Sequence, residues 1–326
     1  MDAWLKEHLV CPREHYTLEL RDNLLVCPRG HKYPYLDGIP VMLLEEAKPT
    51  HGDCCKTLEQ TAGNRVLSLR DDETETLDGG VDPYVQEVVA ATCGLMYRPL
   101  IGKLSRYPIP ELRLPDGAGE TFLDIGCNWG RWCISAALKG YAPVGVDPSL
   151  DAVRAARRVA RQLGVSVNYV VADARYLPFS ARCFDIIFSY SVLQHFSKED
   201  AKLCLAEIAR TLKCSGISTI QMPNIFGLRN LYHQLKRGRK EATAFDVRYW
   251  SLPELKKTFT DFVGPTSFFV DGYFALGVSP RDTDLLPLKY RFVVRFSEGL
   301  RQISEKVEWL KYFADSVFVK SSVAVT

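Results

Sequence analysis

From residue 121 to residue 222, short apolar β-type runs alternate with helical stretches, and this alternation restricts the fold more than any other feature of the chain. The runs occupy residues 121–125, 143–147, 167–173, 184–190 and 216–222, with helical stretches at 131–139, 150–163 and 198–212 between them. Strands separated by helices of this length form βαβ units, and βαβ units build a parallel sheet. Each run is almost continuously apolar, as a strand covered on both faces must be. The expected fold class is therefore α/β.

At 326 residues the chain is long for one compact domain, so appendages to this core are expected. Residues 1–47 read as a small β-rich unit. It has a hairpin from Thr17 to Val26, a turn-rich close at Tyr33-Pro34-Tyr35-Leu36-Asp37-Gly38-Ile39-Pro40, and an apolar strand over 41–44. Residues 48–80 are polar and acidic, with Asp71, Asp72, Glu73 and Glu75, and read as a linker. Residues 81–326 would form the main domain: helical character around Val85, Val88, Val89 and Cys93, the core at 119–222, an insertion at 223–262, and late strands over 263–326. Ser251-Leu252-Pro253-Glu254 is a capping box that starts a helix. Strands are expected at 266–276 and 316–325. Phe292, Phe296, Leu300, Ile303, Val307 and Leu310 make an apolar stripe on one helix over 288–312, read as packed on the core rather than on a membrane.

Bulk properties exclude little more. A net charge of +2 neither requires nor forbids a polyanionic partner. The opening MDAWLKEHLV has no uninterrupted apolar segment and gives no secretory signal, and no apolar run approaches the roughly 18 residues that span a bilayer. Ten cysteines, scattered singly apart from Cys54-Cys55, fit reduced thiols in a cytoplasm better than a disulfide framework.

The strongest candidate site is Asp124-Ile125-Gly126-Cys127-Asn128-Trp129-Gly130, where a strand runs into a glycine turn and then a helix. Glycine allows positive φ and close approach of a ligand, and the helix N-terminus beyond it suits a carboxylate or phosphate. Asp147 ends the next strand, where an acid can accept both hydroxyls of a ribose. A dinucleotide site would want G-x-G-x-x-G, but the spacing here is G-x-x-x-G, with bulky Trp129 inside it, and no G-K-[ST] follows. The loop fits a ligand with a carboxylate, an aminopropyl arm and a ribose better than one with a pyrophosphate.

This loop resembles the first motif of class I S-adenosylmethionine-dependent methyltransferases, especially the ubiquinone/menaquinone methyltransferase group. Further landmarks follow in order. They are Val144-Gly145-Val146-Asp147-Pro148-Ser149, Ala172-Asp173-Ala174 with Leu177-Pro178-Phe179, Phe184-Asp185-Ile186-Ile187-Phe188-Ser189 with Val192-Leu193-Gln194-His195-Phe196, and Glu207-Ile208-Ala209-Arg210-Thr211-Leu212-Lys213. The resemblance implies a Rossmann-like methyltransferase sheet, parallel with one antiparallel strand near the C-terminus. It implies S-adenosylmethionine as cofactor. Asp124, Gly126, Asn128, Trp129 and Gly130 would lie at the methionine moiety, Asp147 and Pro148 at the ribose, and Asp173 and Ala174 at the adenine, with Ser189 completing the site. Outside that register, Asp147 and Asp173 would read as ordinary strand-end helix caps.

Methyl transfer is an in-line displacement, and alignment alone reaches effective molarities of roughly 10⁵–10⁸ M. A base is needed only for a poorly acidic hydroxyl or a protonated amine. His195, just past the fourth strand of the core, is the candidate base, with a packing role as the alternative; Tyr190 is a candidate for the pocket wall.

In the amino-terminal unit, Cys11-x₃-His15 and Cys27-x₃-His31 form two matched pairs that could close a tetrahedral zinc site; the alternative is a metal-free unit with solvated histidines. The segment CPRGHKYPYLDGIPVML resembles a family of small zinc-ribbon-like proteins, some of which are partner subunits of RNA and protein methyltransferases. Three functions follow as expectations: methylation of a small-molecule, glycan or lipid-linked acceptor; methylation of RNA, for which Arg229, Lys236, Arg237, Arg239 and Lys240 offer a basic stretch; or a non-catalytic cofactor-binding subunit. The acceptor is the expected partner, with no transmembrane segment.

Overall fold

The computed structural model describes residues 1–61, 80–238, 242, 245–274 and 276–323. The core is a seven-stranded sheet. Its strands are β5 (Thr121–Ile125), β6 (Ala142–Asp147), β7 (Asn168–Val171), β8 (Phe184–Ser189), β9 (Leu212–Pro223), β10 (Thr266–Gly272) and β11 (Ser316–Ser322), in the spatial order β10-β11-β9-β8-β5-β6-β7. β5 to β9 pair in parallel, while β11 runs antiparallel to both β9 and β10. One late antiparallel strand in a parallel sheet is the architecture expected.

The helices form where sequence permits capping and burial together. Ser149 accepts the Ala152 N–H at the start of α5 (Leu150–Gln162), which buries Leu150, Val153, Ala156, Val159 and Ala160 at helical spacing. Ser197 caps α6 (Lys198–Thr211), and Glu199 and Asp200 in its first turn face the positive end of the helix dipole. The chain winds from β5 to β7 on one side and crosses to β8 and β9 on the other. The direction therefore reverses between β5 and β8, and the crevice beyond their carboxyl ends is where open α/β sheets bind ligands.

The amino-terminal unit is a meander of β1 (Glu19–Arg21), β2 (Leu24–Val26), β3 (Lys32–Leu36) and β4 (Ile39–Pro40), with α1 (Ala3–His8) before it. Asp22 and Asn23 both take positive φ at the tight turn between β1 and β2. The unit is continuous with the main sheet. Leu9, Leu25, Tyr33 and Met42 share one buried cluster with Leu177, Phe179 and Phe184, and the Met42 N–H bonds the Val171 carbonyl at 2.7 Å. The apolar strand expected at 41–44 reduces to a single parallel bridge, Val41 to Val171, which extends the β7 edge.

Two expectations need correction. The first half of the expected linker is helical: α2 (Gly52–Thr61) docks on α5, where the Thr57 hydroxyl donates to the Pro148 carbonyl and accepts the Leu150 N–H. The acidic residues 71–75 lie outside the described residues, as do Arg239 and Lys240. The expected helix over 288–312 stops at Ser304 as α9 (Leu288–Ser304), and a 3₁₀ turn, Glu308–Phe313, follows. Of its apolar stripe, Phe292, Phe296 and Ile303 face solvent, while Leu300 packs against the core. Beside Val294 and Leu300 the inner face carries polar groups with partners to satisfy: the Ser297 hydroxyl accepts the Tyr273 N–H and donates to the Tyr273 carbonyl, and Glu298 receives Arg301 and Arg113.

α3 (Pro83–Thr92), α4 (Arg131–Leu138), α7 (Leu228–Lys236) and α8 (Leu252–Phe262) complete the helices. Ser251 caps α8 as the sequence predicts, accepting the Glu254 N–H, while the Glu254 carboxylate pairs with Lys198. Among the described residues no helix is long and apolar enough to cross a membrane.

Candidate active site

A cavity of about 300 Å³ opens at the carboxyl ends of β5, β6 and β8. Gly126 forms its floor at φ +74; a Cβ there would come within 2.3 Å of Val192, so only glycine lets the loop pass beneath that side chain. Asn128, at φ +46, presents its N–H to Asp147 Oδ2 at 2.9 Å, and Ser149 N–H bonds Oδ1 at 3.0 Å. Burial pushes the Asp147 carboxyl up to about 6 despite these two donors. The carboxylate is thus oriented by two backbone amides and retains lone pairs for a diol.

The other expected cofactor residues divide. Pro148, Trp129, Asp173 and Ala174 line the cavity with Gly126, Asn128 and Asp147. Trp129 is also a structural tie, fully buried, with its indole N–H on Thr92 at the end of α3. Asp173 is engaged on both oxygens by Arg175, through Nε at 3.1 Å and Nη2 at 2.7 Å, which leaves the neighbouring backbone to meet an adenine edge. Asp124, Gly130 and Ser189 do not line the cavity. Asp124 is buried beneath the loop, where it accepts the Cys133 thiol at 3.3 Å and desolvation pushes its carboxyl up to about 7. Gly130 lets Tyr169 pack close: a Cβ would meet its hydroxyl at 2.4 Å. The Ser189 hydroxyl donates to the Ile125 carbonyl and ties β8 to β5.

A second cavity, of about 440 Å³, lies beside the first, and Arg131, Trp132, Tyr190, Ser191 and His195 line both. Arg131 is a buried cation that forms no ion pair among the described residues; its guanidinium lies over the Tyr190 ring at 5.4 Å and the Trp132 ring at 5.5 Å. Tyr190 donates its hydroxyl to Asp271 Oδ2 at 2.9 Å, and Ser316 donates to the same oxygen at 2.7 Å. Gln221 bonds Ser316 with its amide and accepts the Ser191 N–H, so four strand ends share one polar network. Asp271 enters the cavity because it is the extra residue of a β-bulge: Val270 pairs with Val317 and Gly272 with Ser316.

Burial lowers the His195 imidazole and so favours its neutral form. Its Nδ1 contacts the Phe245 carbonyl at 2.8 Å, which makes Nδ1 the donor and Nε2 the acceptor, and Nε2 takes the Gln194 amide at 3.2 Å. The ring stacks on Phe245 at 3.9 Å.

Sequence reasoning missed Arg131 and Asp271, and also Tyr84, His51 and Phe245, which line the smaller cavity. Arg131, directly after Gly130, was the most accessible of these, because a first-turn residue of the loop helix must face the same crevice.

In the amino-terminal unit, ligand atoms of Cys11, Cys27 and His31 lie within 4.8 Å of one another. His15 is not with them: it takes a positive φ in its turn and lies in the field of Arg210 and Glu207 instead. The Tyr33 hydroxyl and the Cys11 thiol share a hydrogen bond of 3.2 Å. Among the described residues the set holds three of the four donors that a structural zinc takes, with His15 outside it.

The reversed strand order with its antiparallel β11, and the glycine loop facing Asp147, make a Rossmann-like α/β fold, as the resemblance to class I methyltransferases implies. Residues 122–216 match the family model described as a methyltransferase domain. Curated relatives include the ubiquinone biosynthesis O-methyltransferase of Agrobacterium fabrum, 33% identical over 133 residues, covering 37% of this chain and 51% of that protein. The enzyme of the same name from Chelativorans sp. is 34% identical over 106 residues, covering 32% of this chain and 41% of that protein. The chain thus spans about half the length of the first of these relatives and less of the second. Among solved structures, phosphoethanolamine N-methyltransferase 2 of Haemonchus contortus, in complex with S-adenosyl-L-methionine, is 18% identical with a TM-score of 0.44, over 65% of this chain and 50% of that one.

Proposed function

We propose that the protein transfers a methyl group from S-adenosylmethionine to a small-molecule, glycan or lipid-linked acceptor. One observation carries this reading: the smaller cavity, built on the glycine loop and Asp147, shares a wall with the larger one, so that a donor and an acceptor can meet at Tyr190 and Arg131. The residues fit the cofactor. Asp147 suits the ribose diol, the Gly126–Asn128 backbone the methionine arm, and Arg131, a buried cation without a carboxylate, the methionine carboxylate. The cofactor supplies a methyl group on positively charged sulfur, activated for in-line displacement.

The chain's part is to align and to manage a proton. Asp271 is the group we assign to receive the proton of an acceptor hydroxyl. Its Oδ2 is held by Tyr190 and Ser316, and its Oδ1 lies 3.8 Å from the Arg113 guanidinium. His195 holds Phe245 against the cofactor cavity in this scheme, because its acceptor nitrogen already receives Gln194. If His195 is instead the base, His195→Ala lowers turnover and leaves cofactor affinity intact; if it positions Phe245, cofactor affinity falls.

The test is incubation of the protein and labelled S-adenosylmethionine with fractionated cell extract. Label in a small-molecule or lipid pool supports the reading. Label in RNA, or cofactor binding without any turnover, would assign one of the other two functions, which no observation in the site favours. We place the protein in a reducing cytoplasm, a reading supported by its ten unpaired cysteines.

A further inference from the structure

Two helices of this protein are turned inside out. In α7, Leu228, Leu231, Tyr232 and Leu235 recur at three- and four-residue steps and are all exposed, whereas inward-facing Asn230 is bonded to Asn224 and Asp315. In α9, Leu288, Phe292, Phe296 and Ile303 face solvent, Phe292 at 73% exposure, while Val294, Ser297 and Ser304 face inward. A helix of a globular protein ordinarily buries such a stripe.

The two stripes belong to one surface. Phe292 stacks along Phe296 and Phe296 along Phe274, whose carbonyl accepts Arg229 of α7. The 3₁₀ turn adds Trp309, Tyr312 and Phe313, all exposed, and Asn224 at the foot of α7 bonds the Tyr312 carbonyl. Contiguous apolar surface on this scale marks an interaction site.

Charge identifies the occupant. Lys236, Arg295 and Lys306 are exposed among these apolar side chains and form no ion pair with any described residue. The nearby acids are already paired, Glu305 with Arg301 and Glu308 with Lys311. The uncompensated charge is positive. Aromatic and aliphatic groups interleaved with lysine and arginine are what a helix needs to lie in the headgroup region of an anionic bilayer. A second copy of this chain would bring the same unpaired cations together.

We propose that α7, α9 and the turn at 308–313 dock the protein on an anionic lipid surface. The placement is functional as well as adhesive. Arg229, Asn230 and His233 of α7, with Val294, Ser297 and Glu298 of α9, line the larger cavity, so the helices that meet the lipid with their outer faces form the cavity wall with their inner ones.

The test is flotation of the full chain with vesicles of phosphatidylcholine alone and of phosphatidylcholine with phosphatidylglycerol. The protein should float with the anionic vesicles, less so at high salt. Phe292→Ser with Trp309→Ser should weaken binding at least about tenfold without lowering the melting temperature. Arg295→Glu, a charge reversal at an exposed position, should weaken binding to anionic vesicles alone. Absence of binding to anionic vesicles would overturn the proposal. So would self-association in sedimentation that the same substitutions abolish while vesicle binding is absent. Vesicle binding requires no cofactor, so its failure would leave the methyltransferase reading standing, and the converse holds as well.

Discussion

At the scale of single residues, burial decides the chemistry of the two acids of the loop. Asp124 titrates from an ordinary value near 3.8 when unfolded to about 7 when folded, because burial disfavours its charge. The native state therefore holds that proton more tightly, so its contribution is complete below about pH 4 and is lost as pH rises through 7. Asp124→Asn should flatten this decline, of which about 3 kcal/mol at most falls between urea melts at pH 5 and pH 8. Asp147, raised to about 6, must be ionised to accept two hydroxyls, so affinity for S-adenosylmethionine should tighten as pH rises from 5 to 7. That trend should vanish in Asp147→Asn. Asp147 was legible because a strand-end acid in register with a glycine loop has few other uses. Asp271 was not. Its aim depends on a bulge against β11, and its partners Tyr190 and Ser316 are distant in sequence. Asp271→Asn should cut turnover by roughly 10²–10⁴ with cofactor affinity kept, as measured by single-turnover kinetics and calorimetry.

At the scale of elements, periodicity located the strands of the core to within a few residues and said nothing about which way a stripe faces. The sequence of α9 shows apolar residues at three- and four-residue steps, and the ordinary inference is a core-facing helix. Facing is settled by what the neighbours demand, and the Tyr273 backbone and Arg113 demand hydroxyls and a carboxylate on the inner side. The thermodynamic signature is inverted too. Phe292→Gln should change stability by no more than about 0.5 kcal/mol, the range of exposed positions, while the smaller change Val294→Ala should cost about 1 kcal/mol or more. Chemical melts of the two variants check the pair.

At the scale of the whole molecule, the amino-terminal unit belongs to the sheet it adjoins. Composition suggests a separate unit and a linker, since a sequence cannot display that Met42 bonds Val171 or that Tyr33 and Phe179 share a cluster. Calorimetry should show one cooperative transition for unit and sheet together. A chain lacking residues 1–47 should lose several kcal/mol and aggregate, because its removal bares the β7 edge and the cluster beneath it. The cofactor cavity is likewise a product of the whole molecule, since three strand ends, α2 and α3 converge to form it.

The central claim is that the glycine loop and Asp147 hold S-adenosylmethionine, and titration calorimetry with that cofactor tests it directly. The native chain should bind with a dissociation constant of roughly micromolar order, and Gly126→Val, whose side chain would collide with Val192, should abolish the signal. Absence of binding by the native chain, or equal binding by Gly126→Val, would contradict it.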